Sequence, residues 1–162
     1  MNISLTKAEL KDAETIHVMQ TNSFMPLLEK YQDFETSPAN EPIEKIVTRL
    51  NQSFTDYYVI KNDGVTVGAI RIIKMGDQRY RVSPIFILPE YQGKGFAQKV
   101  FEIIERVYCD ARAWELDTLL QEKGNCHLYE KLGYKRTGKM ETINRKMTLV
   151  FYEKYLTPSQ EI

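Results

Sequence analysis

The chain has 162 residues, the size of one ordinary domain, and such a length can bury roughly two thirds of its unfolded surface without staples. Hydrophobic residues make up 43% and charged residues 27%, as in soluble globular proteins, and no apolar run approaches the ~18 residues needed to span a bilayer. The 22 basic and 22 acidic residues cancel, which argues against a dedicated nucleic-acid or anionic-membrane surface.

The N-terminus, MNISLTKAELKD, lacks the charged-then-apolar layout of a signal peptide. Cys109 and Cys126 are the two cysteines, and they show neither metal-ligand spacing nor a disulfide framework. Ordinary burial accounts for both, no metal site is expected, and a reduced cytoplasm is the simplest setting.

In chain order, residues 2–6 alternate as a first strand. Between Asp12 and Ser23, Ala13, Ile16 and Met19 recur at helical spacing. The stretch PLLEKYQDFETSPAN contains two prolines and reads as loop and short helix. Pro42 then stands where a first helical residue would, and Ile43, Ile46, Val47 and Leu50 form the apolar stripe of a second helix. Three strand-like segments follow, at 57–61, 65–74 and 79–88. The turn Asn62-Asp63-Gly64 is a strong hairpin signal, and a second turn lies at Gly76-Asp77-Gln78. Turns this short make an antiparallel meander, not a parallel crossover. Pro84 lies inside the last of these strands, where it marks either an edge strand or a bulge or split in the sheet.

After Gly95, apolar residues at Ala97, Val100, Phe101, Ile104, Val107 and Tyr108 predict an amphipathic helix. A strand over 114–120, a short helix over 124–132 closed by Gly133, and two final strands at 134–140 and 146–152 complete the order. The expected architecture is one α/β (α+β) domain over residues 1–162. It has seven strands in a mixed, mostly antiparallel sheet and about four helices.

The most informative segment is Ile85-Phe-Ile-Leu-Pro-Glu-Tyr-Gln-Gly-Lys-Gly-Phe-Ala97. A strand ends near Leu88, a helix begins near Gly95, and two glycines stand two apart at the junction. Glycine lets backbone approach a ligand closely, and the first helical turn offers unpaired N–H groups with about half a positive charge. Together these make a phosphate site, with Lys94 as a cation at the rim. A glycine-rich turn that binds nothing has the same local pattern. The spacing lacks the third glycine of dinucleotide folds, and no phosphate-loop NTPase motif is present.

Residues 87–97 resemble the coenzyme A-binding signature of the GNAT superfamily of N-acetyltransferases, Gln/Arg-x-x-Gly-x-Gly/Ala. Gln92, Gly95 and Ala97 fill its fixed positions. A second block, Leu128-Tyr129-Glu130-Lys131-Leu132-Gly133-Tyr134, resembles the later family motif of a helix tyrosine followed by Glu-Lys-x-Gly-Phe/Tyr. The resemblance covers nearly the whole chain and implies a sheet splayed in the middle, with acetyl-CoA as cofactor and an acetyl group moved to a primary amine. It implies that the diphosphate sits on the N–H groups of Gly93, Lys94, Gly95, Phe96, Ala97 and Gln98. The pantetheine arm would pair with Ile85, Phe86 and Ile87, entering where Pro84 splays the sheet. The acyl carbonyl would lie near a backbone N–H around Ile87 or Leu88. One position departs from the family. An asparagine often stands seven residues before the helix tyrosine, and here it is Glu122. Asn125 either takes over that cofactor contact or caps the helix.

Amine acylation needs a neutral amine, although such a group has an ordinary pKa of roughly 10. It also needs a polarised carbonyl, a held oxyanion and a leaving thiolate. The resemblance makes Tyr129 the general acid toward the sulfur, against the reading of a core-facing aromatic. Glu115, Glu29 or a water chain are the candidate bases. His17 and His127 read as surface or partly packed residues. The acceptor site should be built from the first two helices, their connecting loop and the C-terminal hairpin. Phe24, Met25, Tyr31, Phe34 and Glu35 could line it, with Glu115 on the fifth strand. The expected partner is a small-molecule or peptide amine, with no nucleic acid and no membrane, and a homodimer is compatible with the family. A non-catalytic acyl-coenzyme A-binding or regulatory module, or a structural domain with an empty turn, would share the same cradle.

Overall fold

Seven stretches of strand pattern and four amphipathic helices assemble in the expected order in a computed structural model, which describes residues 1–156. The strands are β1 (Ile3–Lys7), β2 (Thr55–Asn62), β3 (Val65–Gly76), β4 (Arg79–Ile87), β5 (Ala113–Leu119), β6 (Lys135–Asn144) and β7 (Met147–Tyr155). The helices are α1 (Ala13–Tyr31), α2 (Ile43–Leu50), α3 (Phe96–Val107) and α4 (Lys123–Lys131). They form one sheet in the order β1-β2-β3-β4-β5-β7-β6.

All neighbouring strands run antiparallel except β4 and β5. These two pair in parallel through Arg79↔Ala113, Tyr80↔Trp114 and Arg81↔Glu115, and pairing stops there. Beyond Arg81, β4 bulges. The β3–β4 register passes from Ile72↔Val82 to Ile70↔Ile85, so Ser83 and Pro84 stand opposite Arg71 alone. Arg71 donates to the Ser83 carbonyl at 2.9 Å and fills the gap that the bulge leaves. Of the two readings of Pro84, the split sheet is the one adopted. β4 keeps its pairing with β3 as far as Gly68↔Ile87 and presents its other edge to a widening gap.

The two faces of the sheet are sealed separately. Phe96, Val100, Phe101 and Ile104 of α3, with Cys126 and Tyr129 of α4, pack on Ile60, Ile70, Trp114, Val150 and Tyr152. On the opposite face, Ile16 and Met19 of α1 and Ile46 of α2 pack on Tyr57, Val59, Ala69 and Phe86.

The first helix is longer than its sequence pattern predicted. It runs through Pro26 to Tyr31 instead of ending near Ser23. An interior proline removes one helical hydrogen bond and costs about 3 kcal/mol. Burial of Leu28 and Tyr31 on the far side of it offsets that cost. Tyr31 then ties three elements together. Its hydroxyl donates to Glu122 Oε2 at 2.5 Å at the start of α4, and its carbonyl accepts from Asn144 Nδ2 at 3.2 Å at the β6–β7 turn. Lys30 Nζ reaches the same Glu122 oxygen at 2.9 Å. Burial works against ionisation of Glu122, but these two hydrogen bonds outweigh it and hold the carboxyl below the usual range.

Candidate functional site

Two grooves meet in the gap between β4 and β5. The first, of about 550 Å³, runs along the free edge of β4 to the start of α3. α1 forms one wall through Ser23, Phe24, Pro26 and Leu27, and α4 forms the other through Gly124, Asn125, Leu128 and Tyr129. The second, of about 400 Å³, lies between α1, the loop after it, the β4 bulge, β5 and the β6–β7 hairpin. Phe24, Leu27, Ile85, Asn125 and Tyr129 line both, so they mark the junction.

The free edge of β4 is polar backbone. The Leu88 N–H donates to the Val67 carbonyl at 2.8 Å. Strand alternation therefore turns the N–H and C=O of Ile85 and Ile87 away from β3 and into the gap. Gln92 Nε2 donates to the Ile87 carbonyl at 2.8 Å, which folds the loop before α3 back onto this edge.

At the far end, Gly93 and Gly95 adopt φ of 75° and 82°, the left-handed region that glycine enters without a side-chain penalty. They swing the chain so that α3 starts with its N–H groups facing the groove. The first paired amide of the helix is Lys99, which donates to Gly95 O at 3.2 Å. No side chain caps this end, and no acidic residue stands in its first turn. The amides of Phe96, Ala97 and Gln98 are thus left for an anion. Ser23 adds a buried hydroxyl without a hydrogen-bond partner among the described residues, on the same groove wall. An extended chain carrying amides and ending in a diphosphate fits this groove: paired backbone at one end, open amides at the other.

Tyr129 is fixed by aromatic packing. Its ring stands edge-on to Phe101 at 5.6 Å and to Tyr134 at 6.0 Å. Its hydroxyl makes no hydrogen bond among the described residues, although the ring lines both grooves. Burial, with the charge of Asp117 as a lesser cause, pushes the phenol well above its usual pKa, so it keeps its proton at neutral pH.

The sequence candidates separate into groups. Ile85, Phe86, Ile87, Gln92, Gly93, Gly95, Phe96, Ala97, Gln98 and Asn125 all line the first groove with Tyr129, whereas Lys94 is exposed outside it. Glu122 is the N-cap residue of α4, but its side chain caps nothing and faces Tyr31 and Lys30. Asn125 makes no side-chain bond among the described residues and lines both grooves, so it is not the cap. Of the acceptor candidates, Phe24 lines the second groove. Met25 does not, because α1 continues as a helix and turns residues 24, 27 and 28 to one face, and Phe34 and Glu35 are exposed on the loop after it. Tyr31 lies beneath the wall with its hydroxyl on Glu122. Glu115 lines neither groove. It lies within 3.3 Å of Arg79 and 3.7 Å of Arg81 in a surface ion-pair ladder. Glu29 is exposed, His127 is exposed, and His17 Nε2 is within 2.8 Å of the Glu41 carbonyl oxygen. Sequence reasoning missed Asp33, which lines the second groove, and Gly68, which lets β4 approach β3. A glycine inside a strand pattern is the signal that could have flagged the latter.

Residues 53–136 match the acetyltransferase (GNAT) domain family. The chain therefore belongs to the GNAT acetyltransferases. Solved structures share its fold at low identity. The PaiA N-acetyltransferase of Thermoplasma acidophilum, in complex with coenzyme A, is 15% identical with a TM-score of 0.77, covering 96% of this chain and 100% of that one. The spermidine N-acetyltransferase of Vibrio cholerae, with CoA and spermine, is 20% identical with a TM-score of 0.75 and 95% of each chain covered. The ribosomal-protein-S18-alanine N-acetyltransferase of Escherichia coli is 11% identical with a TM-score of 0.77, covering 98% and 97%. No curated protein sequence matches the chain. Among the described residues, no helix is long and apolar enough to cross a membrane.

Gly95→Ala tests the cradle. An added Cβ would meet only Met1 Cε, at 3.8 Å, so no packing clash opposes it in the free chain. The cost is conformational, about 1–2 kcal/mol for a side chain in the left-handed region. Relieving that strain re-aims the amides of the first turn. Coenzyme A affinity by calorimetry is expected to fall about tenfold or more. An unchanged affinity would remove this turn from the binding site.

Proposed function

We propose that the chain moves an acetyl group from acetyl-CoA to a primary amine by direct attack, with Tyr129 as the acid toward the departing sulfur. The observation that carries this reading is the protonated, unbonded Tyr129 hydroxyl at the junction of the two grooves. Bound acetyl-CoA supplies an activated acyl carbon and a thiol leaving group. The α3 amides hold its diphosphate, the edge of β4 receives the pantetheine arm, and Asn125 stands beside both reactants. The Ile87 N–H is the donor that polarises the acyl carbonyl, since the Leu88 N–H is already engaged with Val67.

The five junction residues include no carboxylate or imidazole. The nearby groove carboxylates Asp117 and Glu122 are engaged by Arg81 and by Tyr31 with Lys30, so the proton of the amine leaves through water. Tyr129 gives its hydroxyl proton to the sulfur, and solvent restores it. The test is release of free thiol when purified protein meets acetyl-CoA and a panel of primary amines. Acetyl-CoA binding without release for any amine would overturn the catalytic reading.

A further inference from the structure

The second groove carries a chemical bias of its own. Its wall holds three carboxylates, Asp33, Asp117 and Glu141, and no Lys, Arg or His. Asp117 is neutralised by an ion pair with Arg81. Glu141 is exposed at the rim. Asp33 differs from both. It is only 7% exposed, and no cation lies within ion-pair distance of it among the described residues. Its oxygens accept hydrogen bonds from the Thr36 N–H, at 3.0 Å, and from the Thr36 hydroxyl, and from nothing charged. A carboxylate this buried is costly unless a positive group compensates it. The groove it lines is the space from which that group can come.

Position decides which part of the acceptor it meets. The attacking nitrogen must reach the junction residues around Tyr129. Asp33 lines the second groove but not the first, so it faces a part of the acceptor away from the reacting centre. The same groove also offers apolar surface on Leu28, Pro84, Leu119 and Met147. Resting on the acetyl-transfer reading above, we propose that the acceptor is a dicationic amine. Its reactive primary amine is joined by a short apolar spacer to a second cationic group, which Asp33 receives. The wall repels acceptors bearing a carboxylate or phosphate, and Glu141 draws cations to the mouth. A second positive charge also lowers the pKa of the reacting ammonium, which favours the neutral form that attacks.

The test compares three acceptors of one carbon skeleton by thiol release: 1,4-diaminobutane, n-butylamine and 4-aminobutanoate. Wild-type kcat/KM is expected to be at least about tenfold higher for the diamine than for the monoamine. The amino acid is expected to be poorest. Asp33→Asn keeps an acceptor for the Thr36 N–H and offers its amide N–H to the Thr36 hydroxyl oxygen in place of the second carboxylate oxygen. It is expected to raise the KM of the diamine about tenfold, abolishing the preference. Calorimetry with coenzyme A checks that the variant still folds and loads. A diamine no better than butylamine in the wild type would overturn the proposal while leaving amine acetylation standing. Acetyl-CoA binding with no thiol release for any of the amines would overturn both.

Discussion

Replacing Tyr129 with phenylalanine is expected to lower kcat by about 10²–10⁴-fold, the span that a positioned general acid contributes. The affinity for coenzyme A should hardly change. The ring is held by edge contacts with Phe101 and Tyr134 and by packing 6.2 Å from Tyr152, and a phenylalanine ring keeps all of these. The hydroxyl has no internal hydrogen bond to lose, so the variant removes one function and little structure. Steady-state thiol release gives kcat, and calorimetry gives the affinity. A turnover equal to wild type would take Tyr129 out of the chemistry and leave it a core aromatic.

Gly68→Ala is expected to cause the largest loss of stability. Gly68 lies in β3 opposite Ile87 of β4. A Cβ there would run into the Phe86 carbonyl oxygen and stand 3.1 Å from Ile87 Cα. Both are backbone, so no side chain can swing aside. Overpacking of this kind costs about 2–3 kcal/mol, and at 2–4 °C per kcal/mol the fall in Tm is roughly 4–12 °C. The same displacement moves the β4 edge that faces the gap, so coenzyme A affinity should fall as well. A melting temperature within about 1 °C of wild type would show that the two strands are not as tightly apposed as their pairing implies.

The difference between what the sequence revealed and what it concealed has physical causes. α3 was readable because its apolar residues follow one helical stripe. The β2–β3 hairpin was readable because Asn62-Asp63-Gly64 encodes its turn locally. The turn before α3 was readable because glycines stand where φ is positive. The length of α1 was not, since Pro26 reads locally as a stop, and the burial of Leu28 and Tyr31 that overrides it depends on packing partners far along the chain. That extension turned Met25 away from the second groove. Glu115 was misjudged for a different reason. Its arginine partners come from β4, a strand it meets only through a parallel register that no local pattern announces. Asp33 looked like one acid among 22 until the fold buried it.

The brevity of the β4–β5 contact has a consequence for the whole molecule. Three residue pairs, backed by the charged ladder of Arg79 and Arg81 with Glu115, Asp117 and Glu153, form the spine of an otherwise open book. An amide-bearing arm laid between the pages completes hydrogen bonding that the polypeptide leaves undone. Under the proposed function the reactant would act as a missing eighth strand, and the supply of acetyl-CoA would become one of the terms that set how firmly the protein is folded.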